Sequence, residues 1–142
     1  MPGPSPGRRE GTTALRLLAA AAAGTLLAIA APADAADVEA GKAVFNRCKI
    51  CHHLEAGAAS PVGPNLHGLF GRKAGTLPGY NYSEAMKNAG VVWDDDTLAK
   101  YLRDPKGFIP GNKMAFPGLK DETELANLLA YLKEATLKEA TK

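Results

Sequence analysis

Cys48-Lys49-Ile50-Cys51-His52 is the stretch on which the reading of this chain turns. Its spacing is C-x-x-C-H, the attachment signature of a c-type haem. Two cysteines three positions apart set both sulfurs along one edge of a helical turn, where each can add to one vinyl group of the same porphyrin. The histidine that follows then falls beneath the iron. The spacing therefore predicts two thioether bonds, a proximal imidazole from His52 and a permanently tethered cofactor.

A bare C-x-x-C also serves thioredoxin-like redox sites, half of a zinc site or an ordinary disulfide. The chain has 2 cysteines, so a four-sulfur zinc site is impossible. A zinc site would have to recruit His52, His53 or His67, none of which belongs to a second cluster with zinc-ligand spacing. Thioredoxin chemistry would place the motif after a strand of a βαβ unit, whereas the residues before Cys48 read as a short helix. Haem attachment is the reading that the surroundings favour.

The first 35 residues read as a cleavable secretory signal peptide. Arg8, Arg9 and Arg16 form a basic region, Leu17 to Ala31 an apolar one, and Ala33-Asp34-Ala35 an A-x-A cleavage site. The apolar stretch is short of the about 20 residues that span a membrane, so cleavage is expected in preference to retention as an anchor. Export to the periplasm fits the chemistry of haem attachment. The segment from Ala36 to Lys142, 107 of the 142 residues, has the length of one domain. A core this small is marginal alone, and a buried porphyrin would complete it.

The precursor carries a net charge of +2, and removing the first 35 residues leaves 14 basic and 13 acidic side chains. That balance gives no support to nucleic-acid binding. The pattern is all-α. Asp37 caps a helix to about Cys48, with Gly41 set inside it; Ser83 to Ala89 is a short helix stopped by Gly90. Asp94-Asp95-Asp96 opens a helix with Leu98, Tyr101 and Leu102 on one face and Pro105 ending it. The last helix starts at Asp121-Glu122-Thr123-Glu124 and repeats Leu125, Leu128, Leu129 and Leu132 at helical spacing. Between these lie two loops rich in Gly and Pro, Leu54 to Tyr82 and Lys106 to Leu119. Long loops of this kind in a small domain usually wrap something.

Two segments make the pattern specific. Ile109-Pro110-Gly111-Asn112-Lys113-Met114-Ala115-Phe116 resembles the loop that delivers the distal methionine in class I cytochromes c, and Gly63-Pro64-Asn65-Leu66-His67-Gly68-Leu69-Phe70-Gly71-Arg72 resembles the segment behind the proximal histidine. From about Asp37 to Thr136 the landmarks occur in the family's order, most similar to mitochondrial-like soluble cytochromes c and their periplasmic relatives. The resemblance implies a small cytochrome c fold around one haem c, attached at Cys48 and Cys51 and ligated by His52 and Met114. It implies that the Pro64 carbonyl orients His52, that Arg72, Tyr82 and Trp93 hold the inner propionate, and that Tyr101 sits beside the Met114 sulfur. Gly41 and Phe45 would cross Leu128 and Tyr131. Two positions depart from the family: Met86 stands where relatives usually have asparagine, and Asn112 where threonine is common. His53 and His67 read as surface loop residues.

A His/Met pair leaves no open coordination position, which favours electron transfer over oxygen or peroxide chemistry. The expected protein is a monomeric electron carrier rather than an enzyme, working in a respiratory chain. The resemblance implies a quinol-oxidising cytochrome bc complex as donor and a terminal oxidase, another reductase or a reaction centre as acceptor. Two other readings stay open: a haem enzyme or gas-binding protein with a labile Met114, and an N-terminally anchored respiratory subunit. Arg47, Lys106, Lys113 and Lys120 are expected to rim the exposed haem edge as a docking face, with the acidic helix starts lying away from it.

Overall fold

A computed structural model describes residues 35–60 and 62–137, together with Gly3 and Gly7. The expected signal peptide, residues 1–35 with its cleavage site, lies outside the described residues except for Gly3, Gly7 and Ala35. The chain divides between Pro32 and Ala33 into two units, and the second contains all the structure that follows.

Five helices run in the order α1 (Val38–Phe45), α2 (Glu84–Lys87), α3 (Asp95–Arg103), α4 (Pro105–Phe108) and α5 (Glu122–Leu137). Each start has a local cause. The Asp37 carboxylate accepts the Ala40 N–H, and the Ser83 hydroxyl accepts that of Met86. Asp94 and Thr97 form a reciprocal capping box, and the Asp121 carboxylate accepts the Glu124 N–H at 2.8 Å. These side chains satisfy amides that have no partner within the first turn.

α1 is shorter than the sequence suggests, because the chain beyond Phe45 tightens into turns. Lys49 N–H still bonds the Phe45 carbonyl, and His52 N–H the Cys48 carbonyl at 2.9 Å, so the two cysteines and His52 ride on one helical turn. The second loop also differs from expectation. Pro105 ends α3 but begins α4, with the Asp104 carboxylate accepting the Gly107 N–H at 3.1 Å. Proline is suited to that first position, where its missing N–H would have no partner anyway. Among the described residues there is no strand, only an isolated bridge between Lys73 and Val92. Flanking bonds from Gly71 N–H to Trp93 O (2.8 Å) and from Trp93 N–H to Arg72 O (3.0 Å) hold those two segments side by side.

α1 crosses α5 at Gly41, where a Cβ would collide with the Asn127 carbonyl and the Tyr131 side chain. Absence of a side chain lets the two backbones approach, and Phe45 then stacks at 5.5 Å on Tyr131. One apolar cluster forms around this crossing, from Val44, Phe45, Leu102, Leu119, Leu125, Leu128 and Leu132. A second holds Leu69, Ala74, Trp93, Leu98, Tyr101 and Ile109. Both clusters contribute to the walls of one large cavity.

Candidate haem site

The cavity is lined by all nine residues singled out in the sequence: Cys48, Cys51, His52, Pro64, Arg72, Tyr82, Trp93, Tyr101 and Met114. Cys48 and Cys51 are not joined in a disulfide, and each is partly buried on the turn that follows α1. Burial pushes the Cys48 thiol up to about 11. His52 is set by the loop beyond it. Gly63 N–H bonds the Cys51 carbonyl at 2.8 Å, Leu66 N–H the His53 carbonyl at 2.9 Å, and the Asn65 amide spans the Glu55 and Ala58 carbonyls. This folds Gly63 against the imidazole so closely that a Cβ there would strike the ring. His52 Nδ1 lies 2.7 Å from the Pro64 carbonyl. That bond fixes the tautomer in which Nδ1 carries the proton and Nε2 keeps its lone pair for a metal. Burial holds the imidazole below its ordinary value; the Pro64 carbonyl works in the opposite sense, and Arg72 adds to the lowering. A neutral ring is the form that ligates.

Met114 enters from the segment after α4. Its sulfur lies 3.9 Å from the Tyr101 hydroxyl, and its N–H donates to Asn112 Oδ1 at 2.9 Å. Tyr101 is packed between Trp93 (5.1 Å) and Phe108 (6.4 Å), and burial raises its phenol well above the ordinary range. Met86, on α2, also lines the cavity. Arg72 donates to the carbonyls of His67 (3.2 Å) and Asn65 (3.1 Å), and burial lowers its pKa from the usual value. A partly buried guanidinium bonded to neutral carbonyls, with Tyr82 on the same wall, suits an anionic group inside the cavity. An apolar chamber lined by an imidazole, a thioether, two cysteine sulfurs and the cations Arg47, Arg72 and Lys113 is a set that fits a haem with propionates. No cluster of three or more His, Cys, Asp or Glu side chains able to hold a bare metal ion occurs among the described residues.

The four expected docking residues are not equivalent. Arg47 and Lys113 line the cavity, whereas Lys106 and Lys120 are absent from its lining and donate to the carbonyls of Asn112 (2.5 Å) and Arg103 (2.6 Å). Contrary to expectation, an acidic helix start lies beside the cavity: Glu124, in the first turn of α5, pairs with Arg47. Sequence reading also missed the burial of Asn112, which is only 4% exposed, and that His67, half-buried as a residue, has its Nδ1 buried without a partner among the described residues.

Comparison with known proteins decides the family. A model described as Cytochrome c matches residues 38–136. The chain belongs to the cytochrome c family. It is 49% identical over 109 residues to a cytochrome c2 of Blastochloris viridis, covering 77% of this chain and 86% of that protein. Over 101 residues it is 54% identical to the cytochrome c of Sesamum indicum, covering 70% and 91%. The solved structure of cytochrome cH from Methylobacterium extorquens superposes with a TM-score of 0.64 at 44% identity, over 68% of this chain and 97% of that one. This cytochrome therefore carries haem c bound through Cys48 and Cys51, and it is an electron carrier rather than an enzyme.

Proposed function

We propose that this cytochrome is a soluble, monomeric one-electron shuttle of the periplasm. It is exported by residues 1–35 as a cleaved signal, leaving 36–142 as the working domain. It takes electrons from a quinol-oxidising cytochrome bc complex and passes them to a terminal oxidase, or to another reductase or reaction centre. His52 and Met114 are the axial ligands, Pro64 orients His52, and Arg72, Tyr82 and Trp93 receive the propionates.

The observation that carries this reading is that His52 and Met114 line the same cavity, His52 with Nδ1 on the Pro64 carbonyl and Met114 with its sulfur 3.9 Å from the Tyr101 hydroxyl. Haem supplies the Fe(III)/Fe(II) couple. The chain's part would be to supply both His52 and Met114 to the iron, which would leave no site open to oxygen or peroxide. The neutral thioether of Met114 favours the reduced ion and raises the potential. Apolar walls act in the same sense, because the oxidised centre has one more positive charge to solvate. Ligands held by hydrogen-bonded loops move little between redox states, which keeps reorganisation small.

The test is spectroscopic. Oxidised holoprotein should have the Fe(III)–methionine charge-transfer band, and reduced protein should ignore CO. Met114→Ala should abolish the band, lower the potential and admit CO. A wild-type protein that binds CO readily would establish the gas-binding reading instead.

A further inference from the structure

The segment that presents Met114 is clipped to α4 by one buried side chain. Asn112 uses both ends of its amide: Nδ2 donates to the Pro105 and Ile109 carbonyls, each at 2.8 Å, and Oδ1 accepts the Met114 N–H at 2.9 Å. Its main chain joins the same knot. The Asn112 N–H donates to Ile109 O at 3.2 Å, and its carbonyl accepts Lys106 Nζ at 2.5 Å. One residue thus ties the first residue of α4, the residue that caps its end, and the backbone of Met114.

Asparagine is matched to this place. The amide offers two donors and an acceptor in one rigid plane; aspartate offers only acceptors, and threonine a single hydroxyl. Breaking such a set inside a buried environment leaves polar groups unpaired, which costs more than the bonds contribute when made.

We propose that Asn112 is a positioning residue for the distal ligand: its amide holds the Met114 loop on α4 and sets how often the thioether leaves the iron. The proposal rests on Met114 being that ligand. An added ligand such as imidazole reaches the iron only while the loop is open, so its apparent affinity is its intrinsic affinity scaled by the open fraction. Whatever loosens the loop must strengthen imidazole binding in proportion.

The experiment titrates oxidised holoprotein with imidazole and follows loss of the methionine charge-transfer band. Asn112→Ala should tighten apparent binding about tenfold, the factor that ~1.4 kcal/mol of lost hydrogen bonding represents. Asn112→Asp should do at least as much, because a carboxylate would face two carbonyl oxygens. Asn112→Thr, retaining one hydroxyl, should give a smaller change in the same direction and supplies the answer if the alanine variant does not fold around haem. Val44→Ala, in the core of α1 and away from the cavity wall, should lower global stability yet leave imidazole affinity unchanged. Equal affinities in wild type and all Asn112 variants, or an equal rise in Val44→Ala, would overturn the proposal while leaving Met114 as ligand. A wild-type protein with no methionine band would instead remove the ligand assignment, and the proposal with it.

Discussion

Arg47 and Glu124 meet as a bidentate pair, Nη1 at 3.0 Å from Oε2 and Nη2 at 2.9 Å from Oε1, across 77 residues of sequence. The pair joins the turn after α1 to the first turn of α5, beside the cavity. Glu124 raises the guanidinium's pKa, first through the hydrogen bonds and then through its charge. The pair is exposed, so it adds little to stability. Its effect is on the field: a cation expected to attract an acidic partner is partly neutralised at the cavity mouth.

Glu124→Gln should therefore unmask Arg47. Oxidation of the reduced protein by ferricyanide, an anion, should be faster in this variant than in wild type at low salt. The advantage should fade as added salt shortens screening to about 8 Å at physiological strength. Arg47→Gln should be slower than wild type under the same conditions, and Lys113→Gln likewise. Stopped-flow rates across ionic strength check all three, and identical slopes would remove the charge asymmetry from the docking face.

Gly41→Ala should destabilise the protein although alanine is the better helix former. Propensity would gain about 1 kcal/mol. Against it stands overpacking of about 1–3 kcal/mol, at the upper end here because the struck atom is the backbone carbonyl of Asn127, which cannot rotate away. A net loss on the order of 1–2 kcal/mol is expected. It should be read as a lower denaturant midpoint with an unchanged slope.

The capping residues were legible because their signals are local. Asp37 and Asp94 announce helices by residue type and position, and both accept an N–H three residues on. Gly41 was legible as a close crossing, since a helical glycine has a cost that tertiary contact must offset. α4 was not legible: its four residues include Pro105 and Gly107, the composition of a loop, and the capping role of Asp104 was overlooked. The cavity wall was read through the C-x-x-C-H spacing and the order of landmarks. Asn112 stood out only as a departure, because its hydrogen bonds reach seven residues back to a helix that had not been foreseen. The Arg47–Glu124 pair depends on how α1 crosses α5, and no local pattern encodes it.

Asp94 gives a pH dependence with a definite sign. Bonds from the Thr97 amide, then from its hydroxyl, hold the Asp94 carboxyl below its ordinary value. The folded pKa is depressed, so the contribution of this cap is fully present above the unfolded carboxylate range. It is lost as pH falls through the folded value. Wild type should exceed Asp94→Ala in stability near neutrality, and the gap should narrow as acid protonates the cap. Paired denaturation curves from neutral pH into the acid range check this; a gap that stays constant would mean that the charged form is not what caps α3.

Arg72 should set part of the redox potential. Its guanidinium lines the cavity, is lowered in pKa chiefly by burial, and donates to the His67 and Asn65 carbonyls. A cation at this position disfavours the oxidised iron, and if it also neutralises a propionate, it cancels an anion that would favour that state. Removing it acts in one direction through both routes. Arg72→Gln keeps a hydrogen-bonding side chain but discards the charge, so the midpoint potential should fall. The expected size is tens of millivolts, since about 59 mV corresponds to a tenfold change in a one-electron equilibrium. Arg72→Lys keeps the charge without the planar fork that reaches two carbonyls at once, and should retain most of the potential while losing some stability. Spectroelectrochemical titration of the three proteins separates the effects. A potential that falls equally in both variants would assign the role of Arg72 to loop geometry, and one that rises in Arg72→Gln would refute its electrostatic action on the iron.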